Sequence, residues 1–205
     1  MRGFLNFDGP LFKIANLIAD IIVLGLLWFV CSIPVVTIGA STTAVYYVMT
    51  RRVSDRETYI LKDFFSSFKS NFLLATGAFI PLFLALCSTA IVLLEIVVFT
   101  GYPLIIYFAL FIEAVLLSVF IYPILARFDV NYKTLYKYAF FMSHRHLLTT
   151  LLCVAALLAL VIIVFYSNGF FLIFAPGTYF YLTSLLFVQR FKKYKPEIDN
   201  DELDD

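Results

Sequence analysis

Charge is scarce in this sequence: Asp, Glu, Lys and Arg supply 14% of its 205 residues, about half the share in an ordinary soluble domain. Cysteine is scarcer still. Cys31, Cys87 and Cys153 lie far apart, each inside an apolar run. Without paired spacing they make neither a disulfide framework nor a metal site, and they read as buried small hydrophobes. No broad basic surface for nucleic acid is present, and no nucleophile elbow, His-Glu zinc motif or Gly-rich phosphate loop occurs. Apolar side chains fill the space instead, at 62% of residues and a mean hydropathy of +0.95. A soluble chain of this length has too much surface for its volume to hide that fraction. A soluble globular domain, a disordered chain and a secreted disulfide scaffold are therefore excluded. What remains is an all-α, polytopic transmembrane helical bundle.

The apolar runs and the breakers between them predict the elements. Membrane helices are expected at about 14–33, 39–53 (short), 72–99, 103–126, 147–167 and 170–190. The first run is too long and begins too late for a cleaved signal peptide. Pro34 ends it, because the residue before a proline is pushed toward extended conformations. Residues 34–40 then read as an extended, β-branched stretch, with Ser41 as the cap of the next helix. That helix is too short to cross a bilayer comfortably alone. The count is six spans if residues 34–50 complete a crossing and five if they lie on the surface.

Two amphipathic segments, 59–71 and 131–146, are expected to lie in the interface on the cytoplasmic side. In the first, Leu61, Phe64, Phe65, Phe68 and Phe72 share a face, with Lys62 and Lys69 off it. In the second, Tyr132, Leu135, Tyr136, Ala139 and Phe140 do the same. Residues 1–196 form a single membrane domain. Residues 197–205, with six acids in nine positions, form a disordered acidic tail. The order amphipathic helix, membrane helix, turn, membrane helix occurs twice, and it fits either a duplication or the ordinary look of two membrane hairpins.

Lysine and arginine set the orientation. Thirteen of the fifteen fall in the segments after residue 50, between the two hairpins, or after residue 189, and none falls in the turns near Gly101 and Gly169. The positive-inside rule makes that side cytoplasmic. The C-terminus is then cytoplasmic. Arg2 and Lys13, the two exceptions, favour six spans and a cytoplasmic N-terminus.

Two carboxylates interrupt apolar runs. Glu113 lies about twelve residues past the Gly101 turn, close to the bilayer centre by rise per residue, and Glu95 about six residues before it. An ionised group at such depth costs several kcal/mol or about that order unless it is protonated, paired or wet. Each reads either as a proton carrier or sugar contact in a wet cavity, or as a protonated acid bonded to a neighbouring helix. No membrane-embedded lysine, arginine or histidine stands out as a partner. His144 and His146, two apart, do not share a helical face, so metal binding is not expected. The helix break offers Ser32, Pro34, Thr37, Gly39 and Ser41 as a place where a partner or substrate meets the backbone, the alternative being a plain structural turn. Phe64, Phe68, Lys69 and Arg145 are the candidate contacts on the cytoplasmic interface.

Residues 28–47, reading WFVCSIPVVTIGASTTAVYY, resemble the signature of the YesL-like family of bacterial membrane proteins. Tyr59-Ile60 and residues 63–72, reading DFFSSFKSNF, are similar to that family's second block. The likeness covers about residues 15–75. It implies a bacterial plasma-membrane protein whose gene lies among those for carbohydrate ABC importers and glycan-degrading enzymes, and it supplies no catalytic residues.

The expected function is that of a non-enzymatic accessory subunit or scaffold of an oligosaccharide importer. Its partners would be membrane lipid and importer permease subunits, with no cofactor. The alternative is a small oligomeric transporter or channel using the helix break and a buried carboxylate.

Overall fold

The computed structural model describes residues 10–54, 56–94, 102–167 and 174–191. Long runs of leucine, isoleucine, valine and phenylalanine wind into helices, with Pro81 and Pro123 inside them, and no strand occurs among the described residues. The order is α1 Pro10–Cys31, α2 Ile38–Val53, α3 Ile60–Ser70, α4 Phe72–Leu94, α5 Tyr102–Leu125, α6 Tyr132–Arg145, α7 Leu147–Tyr166 and α8 Ala175–Phe191. Four of these, α1, α4, α5 and α7, are long and apolar enough to cross a membrane. Pro176 sits in the first turn of α8, where its missing N–H costs no hydrogen bond.

The molecule is organised around α2. Every residue from Gly39 to Tyr46 is buried, as are Val48, Met49 and Thr50. Small side chains make this possible. A Cβ on Gly39 would strike the Ala75 carbonyl of α4, and a Cβ on Gly177 of α8 would strike the Ile21 carbonyl of α1. These are backbone-to-backbone approaches, the mode by which helices associate in lipid. Two hydroxyls of α2 are satisfied inside the helix: Thr43 donates to the Gly39 carbonyl at 3.0 Å and Thr50 to that of Tyr46 at 2.7 Å. Thr183 donates to the Tyr179 carbonyl, so the Tyr46 hydroxyl donates to Thr183, 3.1 Å away, and ties α2 to α8. The Tyr46 ring stands edge-on to Phe180 and Phe187. Trp28 Nε1 donates to Thr42 Oγ1 at 3.0 Å, and Arg52 pairs with Asp20 at 2.7 Å. These two contacts make α1 and α2 an antiparallel pair.

Both amphipathic helices fold back. The start of α4 lies beside the start of α2, because Gly39 meets Ala75 and Thr76 donates to the Val36 carbonyl at 3.4 Å. The intervening α3 therefore runs back along α2. Likewise α6 runs back along α5, with Tyr132 donating to the Leu73 carbonyl at 2.7 Å near its start and His144 reaching Glu113 at its end. The last turn of α2 meets the segment just past α5, since Thr50 and Arg51 share a cavity with Ala126 and Arg127. Both ends of α2 thus lie near one end of the α4–α5 hairpin, so α2 crosses that hairpin instead of running beside it.

The break between α1 and α2 differs from the extended stretch expected. Only Pro34 is extended, at φ −74° and ψ 114°, and Val35–Thr37 form a 3-10 turn. Thr37, not Ser41, is the N-cap of α2. Its hydroxyl is drawn to the Cys31 carbonyl at 2.5 Å and the Pro34 carbonyl at 2.6 Å, so it closes the end of α1 instead of capping α2. Ser41 lies inside the helix, because three small residues follow Ile38 and nothing stops the winding before it.

Candidate functional site

The five residues of the helix break divide into two sets. Ile33, Pro34, Val35 and Val36 form an exposed apolar tip, with Ile33 71% exposed. Gly39 and Ser41 are buried against neighbouring helices, and the hydroxyls of Ser32 and Ser41 are buried without a hydrogen-bond partner. Pro34 and Thr37 are occupied in closing α1. The structure therefore does not gather Ser32, Pro34, Thr37, Gly39 and Ser41 around a shared space.

Glu113 has a partner that the sequence did not suggest. His144 Nε2 lies 3.4 Å from Glu113 Oε2, and His144 Nδ1 lies 2.9 Å from the Phe140 carbonyl. With Nδ1 beside that carbonyl, Nε2 is the ring nitrogen turned toward the carboxylate. Glu113 Oε1 is buried and unpartnered. The contact with His144 brings Glu113 level with the α6–α7 junction, at the polar sequence His144-Arg145-His146 from which α7 departs. The residues of α5 before it, 105–110, are exposed, whereas Ala114, Phe120, Ile121 and Pro123 to Ala126 are buried. Glu95 lies outside the described residues.

The interfacial candidates also divide. Phe64 is fully buried and Ser67 is buried beside it, while Leu61 and Phe65 are exposed. The inward face of α3 is therefore centred on Phe64 and packs on the bundle, so Phe64 is a core residue and not an interface contact. Phe68 is half-buried and stacks on Phe64 with centroids 6.2 Å apart. Lys69 and Arg145 are exposed, with the Arg145 guanidinium 5.5 Å from the Phe141 ring centre. The cysteines are free thiols, with Cys153 buried and Cys31 and Cys87 half-buried.

A second charged feature escaped the sequence altogether. A cavity of about 230 Å³ opens where the last turn of α2 meets the segment after α5, lined by Arg51, Arg56 and Arg127 with Tyr47, Thr50, Ser54 and Phe128. Arg51 Nη1 donates to the Tyr47 hydroxyl at 2.7 Å, and its guanidinium lies 5.3 Å from that ring's centre. Arg127 lies within 6.0 Å of the rings of both Phe128 and Phe191. Burial, and then the neighbouring Arg56 charge, hold Arg127 below its ordinary range. The cavity's residues come from two separate stretches of chain, 47–56 and 126–128. The only sequence signal was their shared membership of the basic side.

Residues 21–93 match the model of a family described as a protein of unknown function, DUF624. The matched stretch carries the second half of α1, the break, α2, α3 and nearly all of α4. No curated protein and no solved structure matches the chain.

Proposed function

We propose that this chain is a non-enzymatic membrane protein acting as an accessory subunit or scaffold of a carbohydrate importer, in a bacterial plasma membrane. The importer and its cargo come from the YesL-like resemblance of residues 28–47 and 59–72, with which the family match over residues 21–93 is consistent. The observation that carries the choice of scaffold over transporter is the burial of α2. A solute path through the helix break needs water-facing residues there, and Gly39 to Tyr46 are closed against α1, α4 and α8 instead.

In this reading the end of the bundle carrying Arg51, Arg52, Arg56, Arg127 and Arg190 faces the cytoplasm. The Arg52–Asp20 pair brings Asp20 to that end, and the positive-inside rule favours a cytoplasmic N-terminus with the C-terminus on the same side. The α1–α2 pair then lies across the cytoplasmic end of the α4–α5 hairpin, its apolar tip of Ile33, Pro34, Val35 and Val36 not reaching the outer face, while α4, α5, α7 and α8 cross. The backs of α3 and α6 lie on the cytoplasmic interface with Lys69 and Arg145. A single cysteine at Val35, in a chain with Cys31, Cys87 and Cys153 replaced, should resist an impermeant thiol reagent from outside the cell. Ready labelling from outside would restore a full α1–α2 crossing and six spans.

The functional test is capture of tagged protein from native membranes in mild detergent. Importer permease subunits in fixed ratio are expected, in the same yield from Glu113→Gln. The second reading, a small oligomeric transporter, is favoured by the contact of Glu113 with His144 beside an unpartnered Oε1. Recovery of the chain alone as a defined oligomer, with solute flux abolished by Glu113→Gln, would replace the accessory role with that one.

A further inference from the structure

The arginine cavity at the end of α2 is an electrostatic imbalance held in place by aromatic rings. Three guanidiniums converge on it, and among the described residues no carboxylate is paired with Arg51, Arg56 or Arg127, whereas Arg52 next in the chain is paired with Asp20. Asp55, beside Arg56 in the chain, lies outside the described residues. Helix C-termini account for part of the positive charge. Those of α2 and α5 meet here and that of α8 lies beside Arg127, each carrying about half a negative charge. Three such ends offset roughly 1.5 of the three positive charges, so a net positive site is left. Arg51 Nε is buried with no hydrogen-bond partner. A buried N–H left unmade is costly, and a ligand oxygen is the acceptor it lacks. The hydroxyls of Thr50 and Ser54 donate to the carbonyls of Tyr46 and Thr50 at 2.7 Å each, which leaves the guanidiniums as the donors for an incoming group.

We propose that Arg51, Arg56 and Arg127 form a binding site for a phosphate group, carried either by an anionic phospholipid headgroup or by a small soluble phosphate. Planar guanidinium forks match the tetrahedral oxygens of phosphate in pairs. The ring contacts of Arg127 and Arg51 orient the forks beforehand, so little side-chain freedom is lost on binding. Size narrows the ligand: about 230 Å³ is below the roughly 300–1,000 Å³ of pockets that enclose drug-sized molecules. A phosphate with a few attached atoms fits, and an oligosaccharide does not. The site stands independently of any importer partnership.

The test uses full-length protein in detergent, stripped of lipid, with binding followed by native mass spectrometry and by melting temperature. The probes are phosphatidylglycerol, phosphatidylcholine and inorganic phosphate, the last against chloride at equal ionic strength. Phosphatidylglycerol or inorganic phosphate should bind and raise the melting temperature, and phosphatidylcholine should not. Arg56→Gln should weaken that binding at least about tenfold, the loss of one charge-assisted hydrogen bond. Arg56 is exposed and outside any helix, so the variant folds. Lys137→Gln, an exposed charge on α6, should leave the affinity unchanged. A response to phosphatidylglycerol alone assigns the site to lipid, and a response to inorganic phosphate assigns it to a soluble group. Absence of binding by both anionic probes, or an equal loss in Arg56→Gln and Lys137→Gln, overturns the proposal.

Discussion

The helices α2 and α7 invert the rule by which soluble proteins are read. In α7, Leu147, Leu148, Leu151, Leu152, Leu157 and Leu158 are all at least 46% exposed, and the buried residues are Thr149, Thr150 and Cys153. In α2, the sequence from Gly39 to Thr43 is Gly-Ala-Ser-Thr-Thr, and all of it is buried. The most apolar helix lies outside, and the one richest in small and polar residues lies at the centre. In a bilayer this ordering is expected. Lipid chains solvate leucine as well as a protein interior does, so leucine gives no reason for helices to meet. Small residues let backbones approach closely and bonded hydroxyls add direction, and both are concentrated in α2 and on the facing side of α8.

The comparison can be broken most severely at Gly39. Replacing it with valine forces a side chain into the Ala75 carbonyl. The cost should exceed about 3 kcal/mol, seen as loss of the monodisperse peak in detergent chromatography. A milder break is Arg52→Gln, which leaves Asp20 with a side chain 16% exposed and no partner. The expected loss is about 1–2 kcal/mol, below the roughly 3–5 kcal/mol of a fully buried pair because Arg52 itself reaches solvent. A double-mutant cycle with Asp20→Asn measures it. Tyr46→Phe sharpens the comparison, since it removes one buried hydrogen bond and keeps the ring packing. It should cost about 0.5–1.5 kcal/mol, and Thr183→Val should add little on top of it.

Much of this architecture was legible in the sequence because lipid enforces it. Unbroken apolar runs gave α1, α4, α5 and α7, and Pro34 gave the break after α1. The position of α2 was not legible, because small residues carry no strong periodicity and the buried face extends all the way round. The inward face of α3 was misjudged by part of a turn: Phe64 and Phe65 both lie on its apolar side, and only packing distinguishes them. Chain distance hid the charged contacts. Glu113 and His144 are joined by the fold-back of α6, Asp20 and Arg52 by the pairing of α1 with α2, and Arg127 is brought to Arg51 and Arg56 by the meeting of two segments. The clustering of basic residues on one side was visible, but which of them would remain without a carboxylate depended on the tertiary fold.

The inverted arrangement is tested most directly by measuring melting temperatures of Thr43→Leu and Leu158→Ala in the same lipid nanodiscs. Thr43 is fully buried and its hydroxyl is bonded to Gly39, whereas Leu158 is 57% exposed. Thr43→Leu makes the chain more apolar, yet it should lower stability by about 1–3 kcal/mol through overpacking. Leu158→Ala removes apolar bulk, yet it should stay within about 0.5 kcal/mol. A large loss at Leu158 with none at Thr43 would contradict the account, because it would put α7 at the centre of the bundle and α2 in the lipid.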